Sequence, residues 1–343
     1  MRSPRKKKLI APALALAAFA ALGIYGTTAA MAGTPTAQAH AQIHAAPLML
    51  TRPGADDPAL RGTLAPITGT VPGLSGAATK KLVGPAEAAF RKQHATLVHA
   101  AKHAITAAPA PDAAIAQDAT TIHNAWGVFP GDDGDTKMLA DQSIVPGLTL
   151  SGQEYLYAPT LKAPDGSCVE LTTAYTPDGA YLWAWDWCVS IDAAKTVPLD
   201  SAFVSTYTTT TNGHTAYSMY EAKTNVAKNT WTVYLYNYTT HSWNTFYSQS
   251  GTDQSGAPEG WDMFEVYTTP STTGANGPYC SEISGDTFES SHIQIYNAST
   301  GGWHAASATT APGLDPLPSG SDLGCSTLSF SVPKANSDWK VTN

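Results

Sequence analysis

The fold is decided by a hairpin-forming stretch at residues 168–188, which reads CVELTTAYTPDGAYLWAWDWC. Both arms of this stretch are rich in Val, Thr, Tyr and Trp, the residue types that favour β-strands. Pro177-Asp178-Gly179 between the arms is typical of a tight turn. The stretch therefore predicts two antiparallel strands joined by a short loop.

A turn centred on Asp178 also predicts the register of the two strands. Cys168 then lies opposite Cys188, so these two residues can form a disulfide. The chain has four cysteines, which leaves Cys280 and Cys325 to pair with each other. No Cys-x-x-Cys spacing occurs and the histidines are scattered, so we expect no zinc site, no other metal and no cofactor.

The same register places Glu170 opposite Asp186 on one face of the hairpin. Two like charges in such positions repel, and their pKa values are pushed apart, which supplies an acid and a base at one pH. The alternatives are two solvated acids on a twisted hairpin, or a register displaced by one residue. On the opposite face, this register places three tryptophans in the core: Trp183, Trp185 and Trp187.

Outside the hairpin, residues 121–343 contain many short runs of Tyr, Trp, Thr and Val broken by Gly, Pro, Asn and Asp. This pattern, without βαβ alternation, predicts an all-β domain, a two-sheet antiparallel β-sandwich or a barrel. The candidate strands are Gln153–Ala158, Val169–Ala174, Tyr181–Cys188, Ala202–Thr209, Thr215–Glu221, Thr230–Asn237, Ser242–Ser248, Asp262–Tyr267, His292–Tyr296 and Thr327–Val332.

Charge is distributed unevenly along the 343 residues, whose net charge is −8. Residues 121–343 carry seven Lys, no Arg and 22 acidic residues, a net of −15, whereas residues 1–120 carry a net of +7. All nine Trp also lie beyond residue 120. We therefore expect two different regions, of which the acidic one does not bind nucleic acid, because phosphate backbones need a basic surface.

The beginning of the chain is typical of a secretory signal peptide, predicted at residues 1–32. Basic residues precede an apolar core at Leu9–Leu22, and Ala30-Met31-Ala32 fits a cleavage site. The alternative is a membrane anchor that is retained, but the apolar run is short for a span of about 20 residues. The protein is therefore expected to be secreted and, after signal removal, not bound to a membrane.

Residues 33–120 are interpreted as a pro-like region and linker. Residues 33–78 read as a flexible segment, and Pro85 to about Thr106 has helical spacing. The region is either a removable pro-region that masks the domain or a spacer. The β-sandwich domain is predicted at residues 121–343.

A second acidic residue of interest is Glu265, within the run Gly260–Tyr267. It alternates with Trp261, Met263 and Tyr267 and so shares one face of a strand with them. An unpaired acid on such a face is costly to bury, so Glu265 is expected to be either paired or functional. A concave sheet lined by aromatic residues would accommodate this face.

Together, these strands resemble those of the glutamic peptidases (eqolisins). Residues 168–175 and 181–187 are similar to the family's Gln-bearing strand and the aromatic strand that follows it. Glu170 takes the position of the catalytic Gln, and Asp186 that of the acid between aromatics. The resemblance continues in order over roughly residues 124–335, through 231–240 (an Asn-x-Thr-Thr turn), 260–265 (with Glu265 at the catalytic Glu) and 288–295.

The resemblance implies a concanavalin-like, or lectin-like, sandwich with its active site on a concave sheet. It implies that Glu265 is the general base that activates water and that Glu170, kept protonated, donates a hydrogen bond to the oxyanion, with Asp186 in support. An extended polypeptide substrate would be bound by three aromatic residues: Trp185, Trp261 and Tyr267. We expect a monomeric endopeptidase, secreted as a precursor, that acts at about pH 3–5.

Three features depart from the family pattern. Glu170 replaces Gln, although the related neprosin-like peptidases use a pair of Glu. Trp261 lies one position early, and the two disulfides are not a family feature.

Two other functions remain open from the sequence. The first is a non-catalytic lectin-like module that binds carbohydrate or peptide on exposed Tyr and Trp. The second is a glycoside hydrolase, whose two carboxylates would lie about 5–10 Å apart across a sugar cleft. A peptidase requires Glu170 and Glu265 to converge in one groove, whereas a binding module would show an aromatic row without converging acids.

Overall fold

A computed structural model describes residues 65–88, 122–130, 134–189, 191–256, 259–305, 317–335 and 337–343. The predicted signal peptide, the linker before residue 120 and most of the pro-like region lie outside these residues. Within the described ranges, no helix is long and apolar enough to cross a bilayer. The same ranges contain no group of three or more His, Cys, Asp or Glu side chains that could hold a metal ion.

The described strands form two sheets. The ten-stranded sheet consists of β1 (Ile67–Thr70), β4 (Asp135–Ser143), β9 (Thr208–Thr211), β10 (His214–Asn225), β11 (Thr230–Asn237), β12 (Ser242–Ser250), β14 (Thr287–Asn297), β15 (Gly302–Ala305), β16 (Ser329–Lys334) and β17 (Asp338–Thr342). The seven-stranded sheet consists of β2 (Leu74–Ser75), β3 (Ile122–Val128), β5 (Tyr155–Lys162), β6 (Val169–Thr176), β7 (Gly179–Asp186), β8 (Asp192–Pro198) and β13 (Trp261–Thr268).

The sheets pack face to face, which confirms the predicted all-β sandwich. Strand order is β1-β12-β11-β10-β4-β14-β17-β16 in the larger sheet and β2-β8-β7-β6-β5-β13-β3 in the smaller one. Side chains alternate along each strand, so every second residue enters the core between the sheets. Leu171, Leu182 and Phe264 enter it from the smaller sheet, and Met219 and Leu235 from the larger one.

The predicted register of the 168–188 hairpin is wrong by one residue. Thr176 pairs with Gly179, so the loop holds only Pro177 and Asp178, and Glu170 lies opposite Trp185 rather than Asp186. Thr176 fixes this tight loop, because its hydroxyl accepts from the Asp178 amide at 3.1 Å. A one-residue shift moves side chains to the other face of a strand.

Both predicted disulfides are confirmed. Cys168 bonds Cys188, and Cys280 bonds Cys325. The first pairing survives the register error because Cys188 lies just beyond the end of β7, where the chain bends and its Cα comes within 4.8 Å of that of Cys168.

Residues 65–78 were expected to belong to the flexible segment 33–78, but they are part of the sandwich. β1 pairs in parallel with β12, and β2 pairs antiparallel with β8, so this short segment adds an edge strand to each sheet. The ammonium of Lys195 on β8 donates to the carbonyls of Val71 and Phe246. Residues 77–88 then form helix α1, where the expected helix began only at Pro85.

One predicted strand, Ala202–Thr209, is wrong. Ser201–Tyr207 forms a helix, α2, because the side chain of Asp200 caps it by accepting from the Phe203 amide. β9 begins only at Thr208. The remaining described helix, α3, is Tyr279–Glu282, and Gly320–Leu323 forms a 3₁₀ turn.

Candidate functional site

The predicted site residues meet on the face of the seven-stranded sheet that points away from the ten-stranded sheet. We call this the acid face, defined by Glu170, Glu265, Trp185, Trp261 and Tyr267. The pairing of the strands brings these residues to one face. Glu265 on β13 lies opposite Tyr157 on β5 and Ala125 on β3. Glu170 on β6 lies opposite Trp185 on β7. Glu170 and Glu265 are two strands apart, with β5 between them.

Glu170 is held by three donors from three other strands or loops. The indole N–H groups of Trp187 and Trp261 donate to its two carboxyl oxygens at 2.9 and 3.0 Å. The hydroxyl of Thr160, on the intervening strand β5, donates to the oxygen that Trp261 contacts. Glu170 is only 2% exposed, so this carboxyl is fixed in a nearly dry position.

The pKa of Glu170 is raised from 4.5 to about 7, chiefly by burial and secondly by the charge of Glu265. The hydrogen bonds from Thr160, Trp261 and Trp187 act in the opposite direction and are already included in this value. Glu170 therefore keeps its proton through the acidic range and up to about neutral pH. The dependence on Glu265 also shows that the two acids interact.

Glu265 has a different set of partners. His123, on β3, approaches it with Nε2 at 2.6 Å from Oε1, and the hydroxyl of Tyr267 donates to the same oxygen at 2.7 Å. The rings of His123 and Tyr267 stack with their centroids 3.7 Å apart. Glu265 is 1% exposed, and the pKa of the neighbouring Tyr157 is well above its usual range because of burial and the Glu265 charge.

Asp186 does not join these acids, which corrects its predicted place beside Glu170. The register shift turns it inward, where Tyr247 and Gln249 of β12 each donate to Oδ2 at 2.9 Å. The amides of Cys188 and Val189 donate to Oδ1. Asp186 therefore connects the two sheets at the end of the hairpin.

Trp183, Trp185 and Trp187 were predicted on the face of the hairpin opposite to Glu170, but the observed register places them on the same face as Glu170. Trp183 and Trp185 lie on the acid face, as does Trp187, whose indole contacts Glu170. All three are buried. Trp185 is thus placed with Trp261 and Tyr267, the grouping expected of the substrate-binding residues.

A buried lysine adjoins this face. Lys162 lies opposite Trp261, with its ammonium 4.9 Å from the indole centroid and 3.0 Å from the Asp253 carboxylate. Its charge also acts on Glu221, a buried acid of the larger sheet whose pKa is raised to about 8, chiefly by burial. This lysine therefore lies over the ring that donates to Glu170.

Sequence reasoning missed several residues of the site, His123 above all. The run Ile122–Val128 is a strand that was not among the candidates, and its pairing with β13 places His123 opposite Tyr267. Thr160 lies beyond the end of the predicted strand Gln153–Ala158, since β5 continues to Lys162. Both positions depend on strand pairings over long sequence separations, which no local pattern reveals.

Comparisons with known proteins give matches only among solved structures. The chain is similar to scytalido-glutamic peptidase with a peptide-based transition-state analogue (11% identity, 65% of this chain and 99% of that chain, TM-score 0.35). A second structure of that peptidase, with a transition-state analogue inhibitor, is 12% identical over 65% of this chain and 99% of that chain, with a TM-score of 0.36. The third structure is SCP-B, a member of the eqolisin family of peptidases, in a complex with the tripeptide Ala-Ile-His. It is 9% identical over 66% of this chain and 98% of that chain, with a TM-score of 0.33. No protein-family model matches, and no curated protein matches.

Proposed function

We propose that this chain is a secreted endopeptidase of the glutamic type, in which the carboxyl pair Glu170 and Glu265 hydrolyses a polypeptide substrate. The observation that carries the proposal is the meeting of these two acids on one face, where they interact and Glu170 keeps its proton to about pH 7. A buried acid beside a second acid is the arrangement that separates an acid from a base. The aromatic side chains around them are suited to an extended peptide.

In the proposed reaction, Glu265 removes a proton from water as the water oxygen bonds to the scissile carbonyl carbon. The carbonyl oxygen becomes an oxyanion, to which the protonated carboxyl of Glu170 donates a hydrogen bond. The proton then passes from Glu265 to the leaving nitrogen as the C–N bond breaks. The products are a carboxylic acid and an amine, and both glutamates return to their first states.

The burial of the site supports activation by processing. Glu170 and Glu265 are 2% and 1% exposed, so little of either carboxyl is open to a substrate. The proposed precursor becomes active when part of the basic region before residue 122 is removed. Incubation of the full chain at about pH 4 should produce a new amino terminus at the time that activity appears; activity of the intact chain would contradict this step.

The catalytic proposal is tested with full-length protein incubated at about pH 4 and assayed on casein between about pH 3 and 8. Glu265→Gln is expected to lower kcat/KM by about 10²–10⁴-fold, the usual effect of removing a general base. Glu289→Gln is the matched control, since Glu289 is a buried acid on β14 of the other sheet. Wild-type cleavage that persists in Glu265→Gln would exclude the proposed mechanism.

A second candidate function, carbohydrate binding, is favoured by an aromatic cluster on the outer face of the larger sheet. Tyr220, Tyr234, Tyr236 and Trp243 pack there with the partly buried Trp303, away from either catalytic candidate. The first four of these rings are buried, so the partly exposed Trp303 is the ring on which a sugar could stack. Binding of soluble glycans that is lost in Trp303→Ala and retained in Glu265→Gln would establish this function instead.

A further inference from the structure

The acid face contains a histidine in direct contact with the candidate base. His123 is 7% exposed and lies at the start of β3, opposite Tyr267 of β13. Glu265 is two residues from Tyr267 on the same face of β13. This geometry brings the imidazole Nε2 to 2.6 Å from the Glu265 carboxylate.

The position of the ring is fixed from two directions. It stacks on Tyr267, with an angle of 27° between the ring planes, and its nitrogen reaches the oxygen that also accepts from the Tyr267 hydroxyl. When Glu265 is ionised, as a base must be, its oxygens can only accept, so the imidazole Nε2–H is the second donor to this oxygen. Two donors on one oxygen orient the carboxylate and favour its ionised form.

The two acids therefore differ in the groups that face them. Glu170 faces neutral donors, namely two indoles and the Thr160 hydroxyl, together with the charge of Glu265. Glu265 faces His123 from β3, Tyr267 from its own strand, Tyr157 from β5 and Glu170 from β6. Among the described residues in contact with Glu265, His123 is the one that can carry a positive charge.

We infer that His123 is a positioning residue that keeps Glu265 ionised as the base while Glu170 carries the proton. The site is then a His–Glu–Glu arrangement, in which the histidine decides which acid has which role. This inference rests on the proposed function, because it assigns a role within the same reaction. It predicts that His123 affects the rate and the acidic side of the pH profile, but not substrate binding.

The kinetic experiment uses full-length protein, processed at about pH 4, with three variants. His123→Phe keeps a ring against Tyr267 but removes the donor, and His123→Gln restores a neutral N–H donor. His304→Gln is the matched control, since His304 approaches the Asp135 carboxylate at 3.4 Å in the other sheet. The pH profiles of kcat and KM are measured for all of them.

We expect His123→Phe to lower kcat by about 10- to 100-fold, the effect of losing one hydrogen bond to a charged group, with KM unchanged. The acidic limb of its profile should move to higher pH by about one unit, which corresponds to a tenfold change. His123→Gln should recover part of the rate, and His304→Gln should match the wild type. An unchanged kcat and acidic limb in His123→Phe, with Glu265→Gln inactive, would overturn the inference and leave the proposed function intact.

A measurement that does not need activity distinguishes failure of the proposed peptidase function from failure of the His123 inference. Proton NMR of protein with ¹⁵N-labelled histidine should show a strongly downfield ring N–H signal that disappears in both His123→Phe and Glu265→Gln. If the wild type cleaves no protein but this signal behaves as expected, the proposed peptidase function fails and the His–Glu contact stands. A signal that is absent in the wild type, or that persists in Glu265→Gln, would refute the contact and the inference with it.

Discussion

Glu170 and Asp186 lie on the two strands of one hairpin and are almost equally buried, yet their surroundings are opposite. Asp186 points into the sandwich and accepts from two side chains and two backbone amides. Glu170 points to the other face, where burial and a second acid raise its pKa to about 7. The difference teaches that burial alone does not make a carboxyl reactive. Asp186 accepts two of its hydrogen bonds from backbone amides beside it in the chain, whereas Glu170 accepts only from side chains and lies beside Glu265, whose charge adds to the effect of burial on its pKa.

The largest expected effect is a fall in folding stability with rising pH, because several buried acids have a raised pKa as Glu170 does. Burial raises the pKa of Glu221 to about 8 and that of Asp262 to about 7. An acid whose pKa is higher in the folded state stabilises the fold at low pH, and this stability is lost as the pH rises through the folded value. The free energy of unfolding by urea should therefore fall by several kcal/mol between about pH 4.5 and 8. A stability that is constant or rises over this interval would contradict the assignment of these acids.

The next largest effect is the contribution of Glu170 alone to this pH dependence, measured with the variant Glu170→Gln. In Glu170→Gln the amide cannot ionise, so the penalty above pH 7 is removed, and the stability of the variant relative to the wild type should rise by about 3 kcal/mol between pH 4 and pH 8, at about 1.4 kcal/mol per pH unit. At pH 4 the variant should be less stable than the wild type by about 1–2 kcal/mol, because the partners of Glu170 are all donors and the new amide N–H meets one of them. The amide also keeps an N–H donor for the oxyanion, so we expect cleavage to persist and its decline near pH 7 to disappear. Inactivity of this variant at every pH would show that the Glu170 proton itself is transferred.

The matched change on the other strand, Asp186→Asn, should behave differently. The new amide places an N–H group against donors that need an acceptor, so the protein should lose about 2 kcal/mol of stability. The loss should be similar at pH 5 and pH 8, and the pH profile of cleavage should not move. A displaced profile would mean that Asp186 acts on the site after all.

The smallest effects come from removing one donor to each acid. Thr160→Val and Tyr247→Phe are nearly isosteric, and each should cost about 1 kcal/mol in thermal or urea unfolding. The Thr160 hydrogen bond lowers the pKa of Glu170, so Thr160→Val should extend activity to higher pH. Tyr247→Phe should leave the activity profile unchanged, since its partner is Asp186. Equal profiles for the two variants would remove the distinction between the acids.

Much of the architecture could be predicted because it follows from local patterns. The strand Thr230–Asn237 was predicted with its observed limits, and both disulfides follow from the cysteine positions. Ala202–Thr209 failed because one residue outside the run, Asp200, caps a helix that overrides the strand-forming composition. Glu265 was placed correctly with Trp261 and Tyr267, since alternation along a single strand needs no knowledge of its neighbours.

The sequence by itself determined the all-β class, the cysteine pairs and the two glutamates as the residues to examine. Only the tertiary structure decided which face each acid occupies, because a loop of two residues instead of three turns Asp186 inward and Trp187 outward. It also decided that His123 meets Glu265, 142 positions away along the chain. Contacts of this kind arise from the pairing of distant strands, and the energy of a buried acid depends on such neighbours rather than on its own segment.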